Sequence, residues 1–226
     1  MKKDNISRRT FLKTGIAVGA GLYGLLYLSS FERPRPLKTL KVNSLKKGLV
    51  VVHGDVDERN DENSVIKEMV NRGIKAIGGM DKLVSRGDNV VIKPNIAWDR
   101  NPEYAVNTNP FVVAALVGMC LEAGANRVKV FDHTCASNPD TSYTNSGIEK
   151  AAKEAGAVVR FVDKGLFKNI KIPDGKVLDS WTFYEELIYQ DETDVLINVP
   201  IAKQHSASRL SMALKNTLGM VGGNRG

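Results

Sequence analysis

The chain has 226 residues, a formal net charge of +7 and two cysteines, too few for a disulfide scaffold or for a self-contained iron–sulfur cluster, which needs about four ligands. Residues 1–41 hold nine Lys/Arg against Asp4 and Glu32, while the remainder balances 23 basic against 23 acidic residues. The body of the protein is therefore neutral, which excludes nucleic-acid binding as the meaning of the high isoelectric point.

The excess charge belongs to an address. Ser7-Arg8-Arg9-Thr10-Phe11-Leu12-Lys13 stands before the uncharged run Thr14 to Phe31, the pattern of a bacterial twin-arginine export signal, which carries folded proteins across the inner membrane. The run meets the lower length limit for a bilayer span. Gly15, Gly19, Gly21 and Gly24 dilute its hydrophobicity, and Leu28-Ser29-Ser30 is an imperfect substitute for an Ala-x-Ala cleavage site. Residues 1–30 thus read as a twin-arginine signal or a retained membrane anchor, residues 31–47 as a basic linker beside anionic lipid, and residues 48–226 as one domain. The expected partners are the twin-arginine translocation machinery and, through the N-terminal segment, the membrane. The expected location is the periplasm or the extracytoplasmic face of the membrane.

Within the domain, apolar runs alternate with capped helical segments. Leu49 to His53 reads as a buried strand, and Asp61 to Arg72 as a helix with Val65, Ile66, Met69 and Val70 on one face. Gly87-Asp88 turns the chain into a strand at Val90-Val91-Ile92, which leads to Lys93-Pro94-Asn95. Asn109 is an N-cap with Pro110 at the first helical position, and the helix runs to Ala123 before Gly124. Arg127 to Phe131 is the next strand, followed by a helix with Ser146 and Glu149 as its capping box, ending at Gly156. Val158 to Val162 follows as a strand. Asn169 to Ile172 and Lys176 to Leu178 flank Pro173-Asp174-Gly175 as a hairpin, and Trp181 to Gln190 reads as a short helix. Val195 to Val199 is a last buried strand, after which Ser206 or Ser208 caps a helix to about Thr217, with Leu210, Ala213, Leu214 and Leu218 on the core side. Continuously apolar strands separated by helices predict an α/β fold: a mostly parallel sheet with helices on both faces.

Ligands in such sheets bind beyond the carboxyl ends of the strands, where the chain places Lys93 and Asn95, Asp132 and His133, Asp163, then Lys203 and His205. The helix capped by Asn109 points free N–H groups to the same rim, which suits an anion. The candidate ligand-binding residues are Lys93, Asn95, Asn109, Lys215, Asn216 and Arg225; the candidate catalytic residues are Asp132, His133, His205 and Lys203. A helix from Ser206 would carry Lys215 and Asn216 two to three turns away from the rim, where Lys215 could equally serve the helix macrodipole. His133, His205 and Asp163 are the candidates for a mononuclear divalent metal, although no His-x-His or Cys-x-x-Cys spacing supports one. Each histidine could instead cap a loop. Cys120, in an apolar helical run, reads as a core residue, and an oxidising compartment would permit a disulfide between it and Cys135.

Several of these segments together resemble the domain-of-unknown-function 362 family: Val91 to Asn95, Thr108-Asn109-Pro110 with its helix, Val130-Phe131-Asp132, and Asp194 to Pro200 on through Lys203, His205, Leu214-Lys215-Asn216 and Gly219. The resemblance covers about residues 48–226. It implies an α/β domain, often behind a twin-arginine signal, whose activity is not established. Many relatives carry ferredoxin-type cysteine clusters; this chain has none, so that label does not carry over. Relatives usually continue past Gly222 to Gly226, so the domain is expected to be incomplete at its C-terminus. The functional expectation is an exported enzyme handling a small anionic substrate with or without a metal. The alternative is a non-catalytic ligand-binding or assembly protein of the cell envelope.

Overall fold

A strand such as Val90-Val91-Ile92 or Val195-Leu196-Ile197, apolar on consecutive positions, is stable only when both of its faces are covered. The structure, a computed structural model, describes residues 49–54, 61–162, 164–172, 174–184, 187 and 193–223. The signal or anchor segment, the linker, Asp163 and Arg225 lie outside the described residues. Four strands form one parallel sheet: β1 (Asn89–Pro94), β2 (Arg127–Val130), β3 (Val158–Val159) and β6 (Val195–Val199), in the order β3-β2-β1-β6. Val90 lies opposite Val128 and Val195, and Ile92 opposite Val130 and Ile197.

On one face Val90, Ile92, Val128, Val130, Val195 and Val199 pack against α2 (Pro110–Glu122), α3 (Pro139–Asn145) and α4 (Ile148–Glu154). Helix α1 (Glu62–Ala76) adds Val70 and Ile74 at the margin of that core. Helix α2 forms where its signals place it. The Asn109 side chain accepts from Phe111 N at 2.9 Å, Pro110 opens the first turn, and Gly124 reverses the chain at φ 95°. The other face carries Val91 and Phe131, covered by Tyr184 and Leu187 with Phe167 and Met220 alongside. Tyr184 and Phe167 come from an antiparallel hairpin of β4 (Phe167–Lys171) and β5 (Ser180–Tyr184). Beyond β6 the chain makes a second hairpin, β7 (Lys203–His205) with β8 (Arg209–Ser211), then a short helix α5 (Ala213–Asn216) and a 3-10 turn over Thr217–Met220.

The parallel sheet, its flanking helices and the single α/β domain follow the sequence reading; several local expectations do not. Residues 49–54 join no strand, with Leu49 and Val51 81% and 84% exposed. Gly54 instead lies so close to α1 that a Cβ there would sit 2.7 Å from Met69 Sδ. Ser146 and Glu149 make no capping box. Gly147, at φ 72°, is the cap of α4, and Glu149 bonds Lys153 at 2.6 Å and Thr144 at 3.1 Å. The first hairpin does form, but its second arm is β5, so Trp181 lies in a strand opposite Ile170. Between the two arms, Ile172 N donates to Asp179 O at 2.7 Å.

The helix expected from Ser206 or Ser208 to Thr217 is replaced by β7, β8 and α5. His205 Nδ1 accepts from Ala207 N at 3.2 Å and Ser208 N at 3.3 Å, while Arg209 takes φ 65°, which turns the chain back on itself before a helix can start. No disulfide forms. Cys120 is buried with Sγ 3.9 Å from Met80 Sδ, whereas Cys135 is exposed, and both thiols are free. Burial pushes the Cys120 thiol pKa up to about 12.

Because the Asn109 side chain satisfies an otherwise orphaned helical N–H, Asn109→Ala should lower the unfolding free energy by about 1 kcal/mol in a urea titration. Asn109→Asp, which keeps the acceptor, should lose much less.

Candidate functional site

With β2 on one side of β1 and β6 on the other, the strand order reverses at β1, and a crevice opens at the carboxyl ends of β1 and β6. Thr108, just before α2, pins the two ends. Its hydroxyl donates to Val199 O at 2.7 Å and accepts from Asn95 N at 2.8 Å.

Strand alternation puts Lys93 on the face of Val91, where it is 1% exposed. An ammonium has three donors, and this one meets Asp132 Oδ1 at 2.7 Å, Pro94 O at 2.7 Å and Asn216 Oδ1 at 2.9 Å. Asp132, just beyond β2, is equally buried, and its second oxygen accepts from Ile96 N at 2.7 Å. Asn216 also donates to Lys93 O at 3.2 Å and to Asn198 Oδ1 at 2.7 Å, and accepts from Asn95 Nδ2 at 3.2 Å. Gly219 closes the cluster: a Cβ there would run into Asp132 Oδ1 and lie 2.7 Å from Lys93 Cε. Behind the pair, the hydroxyl of the buried Tyr143 accepts from Asp132 N at 2.6 Å, and burial pushes its pKa upward.

The ion pair and Asn216 line a small open cleft of about 100 Å³ with Asn95, His133, Cys135, Lys203, His205 and Lys215. Lys203 Nζ donates to Asn95 Oδ1 at 2.8 Å and to Val106 O at 2.5 Å, both neutral acceptors. Desolvation holds its pKa below the ordinary lysine value; Lys215 and Lys93 push the same way, and Cys135 and Asp132 partly offset them. The Nδ1 of His205 is occupied by the hairpin turn, so the proton of the neutral ring is assigned to Nε2. The half-buried His133 ring lies 5.4 Å from that of Phe167. A larger cavity, about 540 Å³, runs between α1 and α2 past Lys67, Asn71 and Gly118, and none of the strand-end residues lines it.

Eight of the sequence-predicted residues therefore share one cleft: Lys93, Asn95, Asp132, His133, Lys203, His205, Lys215 and Asn216. Lys93 and Asp132 spend their charge on each other, and both oxygens of Asp132 are engaged. Asn216, expected well down a helix, is buried against Lys93 because α5 has only four residues. Asn109 stays outside the cleft: its side-chain oxygen caps α2, and Nδ2 donates to Glu62 at 3.4 Å. Asp163 and Arg225 lie outside the described residues. Among the described residues, no group of three or more His, Cys, Asp or Glu side chains is placed to hold a metal ion.

Sequence reasoning missed Tyr143 as a support of the site. Asn138-Pro139, which repeats the cap signature of Asn109-Pro110, was the available signal for the helix that carries it. Nothing local marked Thr108 as the clamp between two strand ends, or Gly219 as a close approach.

Asp132→Asn should strand the buried ammonium and lower the unfolding free energy by about 3–5 kcal/mol. The pair Lys93→Met/Asp132→Leu should recover a large part of that loss, and strictly additive losses in denaturant titrations would show the two side chains to be uncoupled. Ellman's reagent should titrate one thiol, Cys135, in the native protein and two in denaturant.

The family model described as Domain of unknown function (DUF362) matches residues 90–226, and that of the TAT (twin-arginine translocation) pathway signal sequence matches residues 5–22. The chain is similar to Thylakoid-associated protein sll1697 of Synechocystis sp. (strain ATCC 27184 / PCC 6803 / Kazusa), 25% identical over an alignment of 156 residues that covers 66% of this chain and 44% of the relative. It thus spans less than half the length of that protein. No solved structure matches. The signal directs the chain to the twin-arginine machinery and to export across the membrane; among the described residues, no helix is long and apolar enough to cross a membrane. Every residue of the cleft, from Lys93 to Gly219, falls within the matched segment 90–226, and the chain belongs to the domain-of-unknown-function family DUF362.

Proposed function

We propose that the exported domain binds a small phosphate- or carboxylate-bearing ligand in the cleft at the ends of β1 and β6, with His205 as the acid–base group beside it. The observation that carries this reading is the charge of the cleft. Its one carboxylate, Asp132, is neutralised by Lys93, which leaves the ammonium groups of Lys203 and Lys215 with no carboxylate partner among the described residues. Lys203 is held in place by neutral oxygens before any ligand arrives, so little ordering entropy remains to be lost on binding. His205 has one nitrogen occupied by its own turn and the other able to donate to, or take a proton from, a bound group. The relative's description as thylakoid-associated is consistent with work beside a membrane after export.

Calorimetry with inorganic phosphate and short dicarboxylates should detect binding, and Lys203→Met should weaken it roughly tenfold or more, since charge-assisted hydrogen bonds contribute about 1.5–3 kcal/mol. Phosphate heats that are unchanged by both Lys203→Met and Lys215→Met would sink the reading. His205→Gln separates its two halves: a turnover enzyme loses rate, and a simple binder retains affinity.

The pH dependence has a definite sign. Only protonated Lys203 attracts an anion, and burial makes it give up its proton below the ordinary value of 10.5. Affinity should therefore be full well below the depressed pKa and fall as pH rises through it. Lys203→Arg, whose guanidinium stays charged, should carry binding to higher pH.

A further inference from the structure

The cleft does not end at its cations. Past Lys215 and Leu218, which line it, the surface continues into a second cavity of about 440 Å³ lined by those same two residues with Ser208, Leu210, Met212 and Leu214. Its four large apolar side chains stand open: Leu210 is 57% exposed, Met212 49%, Leu214 86% and Leu218 40%. Single exposed leucines are ordinary, but four large apolar residues within nine positions, around one concavity, mark an interaction site. The β7–β8 turn and the short α5 create this surface by breaking what would have been a helix, so the apolar positions meant for a core face outward.

We infer that the cleft and this apolar surface form one site for a single-chain anionic amphiphile, such as an alkyl phosphate or fatty acid. The head group lies between Lys203 and Lys215, and the hydrocarbon chain runs over Leu218 onto Leu210, Met212 and Leu214. The inference rests on the anion-binding reading above and adds the ligand class. Charge complementarity sets the orientation, because Lys215, the one lysine among the described residues lining the apolar surface, sits at its junction with the cleft. An unbranched chain suits the surface because Met and Leu adapt to an irregular contour, and an open trough can accept chains of several lengths.

The test is calorimetry on the full chain with inorganic phosphate and with hexyl, octyl and decyl phosphate below their micelle concentrations, with decyltrimethylammonium as the control of opposite charge. Affinity should rise about twofold or more per added methylene, a part of the roughly fourfold that full burial would give. Leu210→Ser with Leu214→Ser should flatten that series, and both sites are exposed enough for the variant to fold. Equal affinity for phosphate and decyl phosphate would overturn the amphiphile while leaving the anion site standing. No binding of either would bring down both readings. Equally tight decyltrimethylammonium binding would reduce the surface to an unselective patch. A dimer by light scattering that Leu214→Glu dissociates, together with a flat chain series, would assign the surface to a second copy of the chain.

Discussion

The Lys93–Asp132 pair governs this end of the molecule. Two opposite charges a few per cent exposed are costly to desolvate, and such a pair is tolerated only when its remaining donors and acceptors are filled. The demand is met from distant parts of the chain: Ile96 N beyond β1, and Asn216 more than a hundred residues further on. Filling it draws the segment after β6 back across the strand ends. The turn that follows must then pass directly over the ammonium, where a residue without a side chain, Gly219, fits. The hairpin, the four-residue helix and the glycine turn can thus be understood as the means by which one buried charge pair is completed.

Completing the pair also decides the sign of the cleft. A carboxylate on the floor would repel anions, but Asp132 delivers its charge to Lys93 and its second oxygen to a backbone N–H. What remains facing the opening is cationic or neutral. Burial holds the Lys203 pKa down, and the nearby charges of Lys215 and Lys93 push it the same way. The lysine repulsion within that shift would be relieved by a negative group beside Lys203, which is in keeping with the proposed anionic occupant.

The sequence was most legible where local chemistry and tertiary structure agree. Asn109-Pro110 and Gly124 bound α2 at both ends, and the apolar runs of β1, β2 and β6 lie where their composition puts them. Because a parallel sheet sends its strand ends to one rim, Lys93, Asp132, Lys203 and His205 could be grouped without knowing any contact. It was least legible from 203 to 218, where Leu210, Ala213, Leu214 and Leu218 have helical spacing but Leu210, Leu214 and Leu218 stand exposed. Periodicity sums local preferences; it cannot register that His205 will accept two backbone N–H groups, or that Asn216 is needed against Lys93. The run Leu49 to Val52 fails for a related reason, since an apolar tetrapeptide states a need for cover and not the kind of cover it will find.

The distribution of charge bears on which ligand the proposed site would take. The net +7 of the chain lies in its first 41 residues, so the domain itself presents no broad positive field that would collect polyanions. Its cations act over a cleft of about 100 Å³, within the Debye length of about 8 Å at physiological salt, and half-buried groups are screened less than exposed ones. A nucleic acid needs an extended row of such charges; a phosphate or carboxylate needs two, converging. The cleft at the ends of β1 and β6 gathers its lysines in a small volume, which suits the proposed small anion better than the nucleic acid that the overall charge alone would suggest.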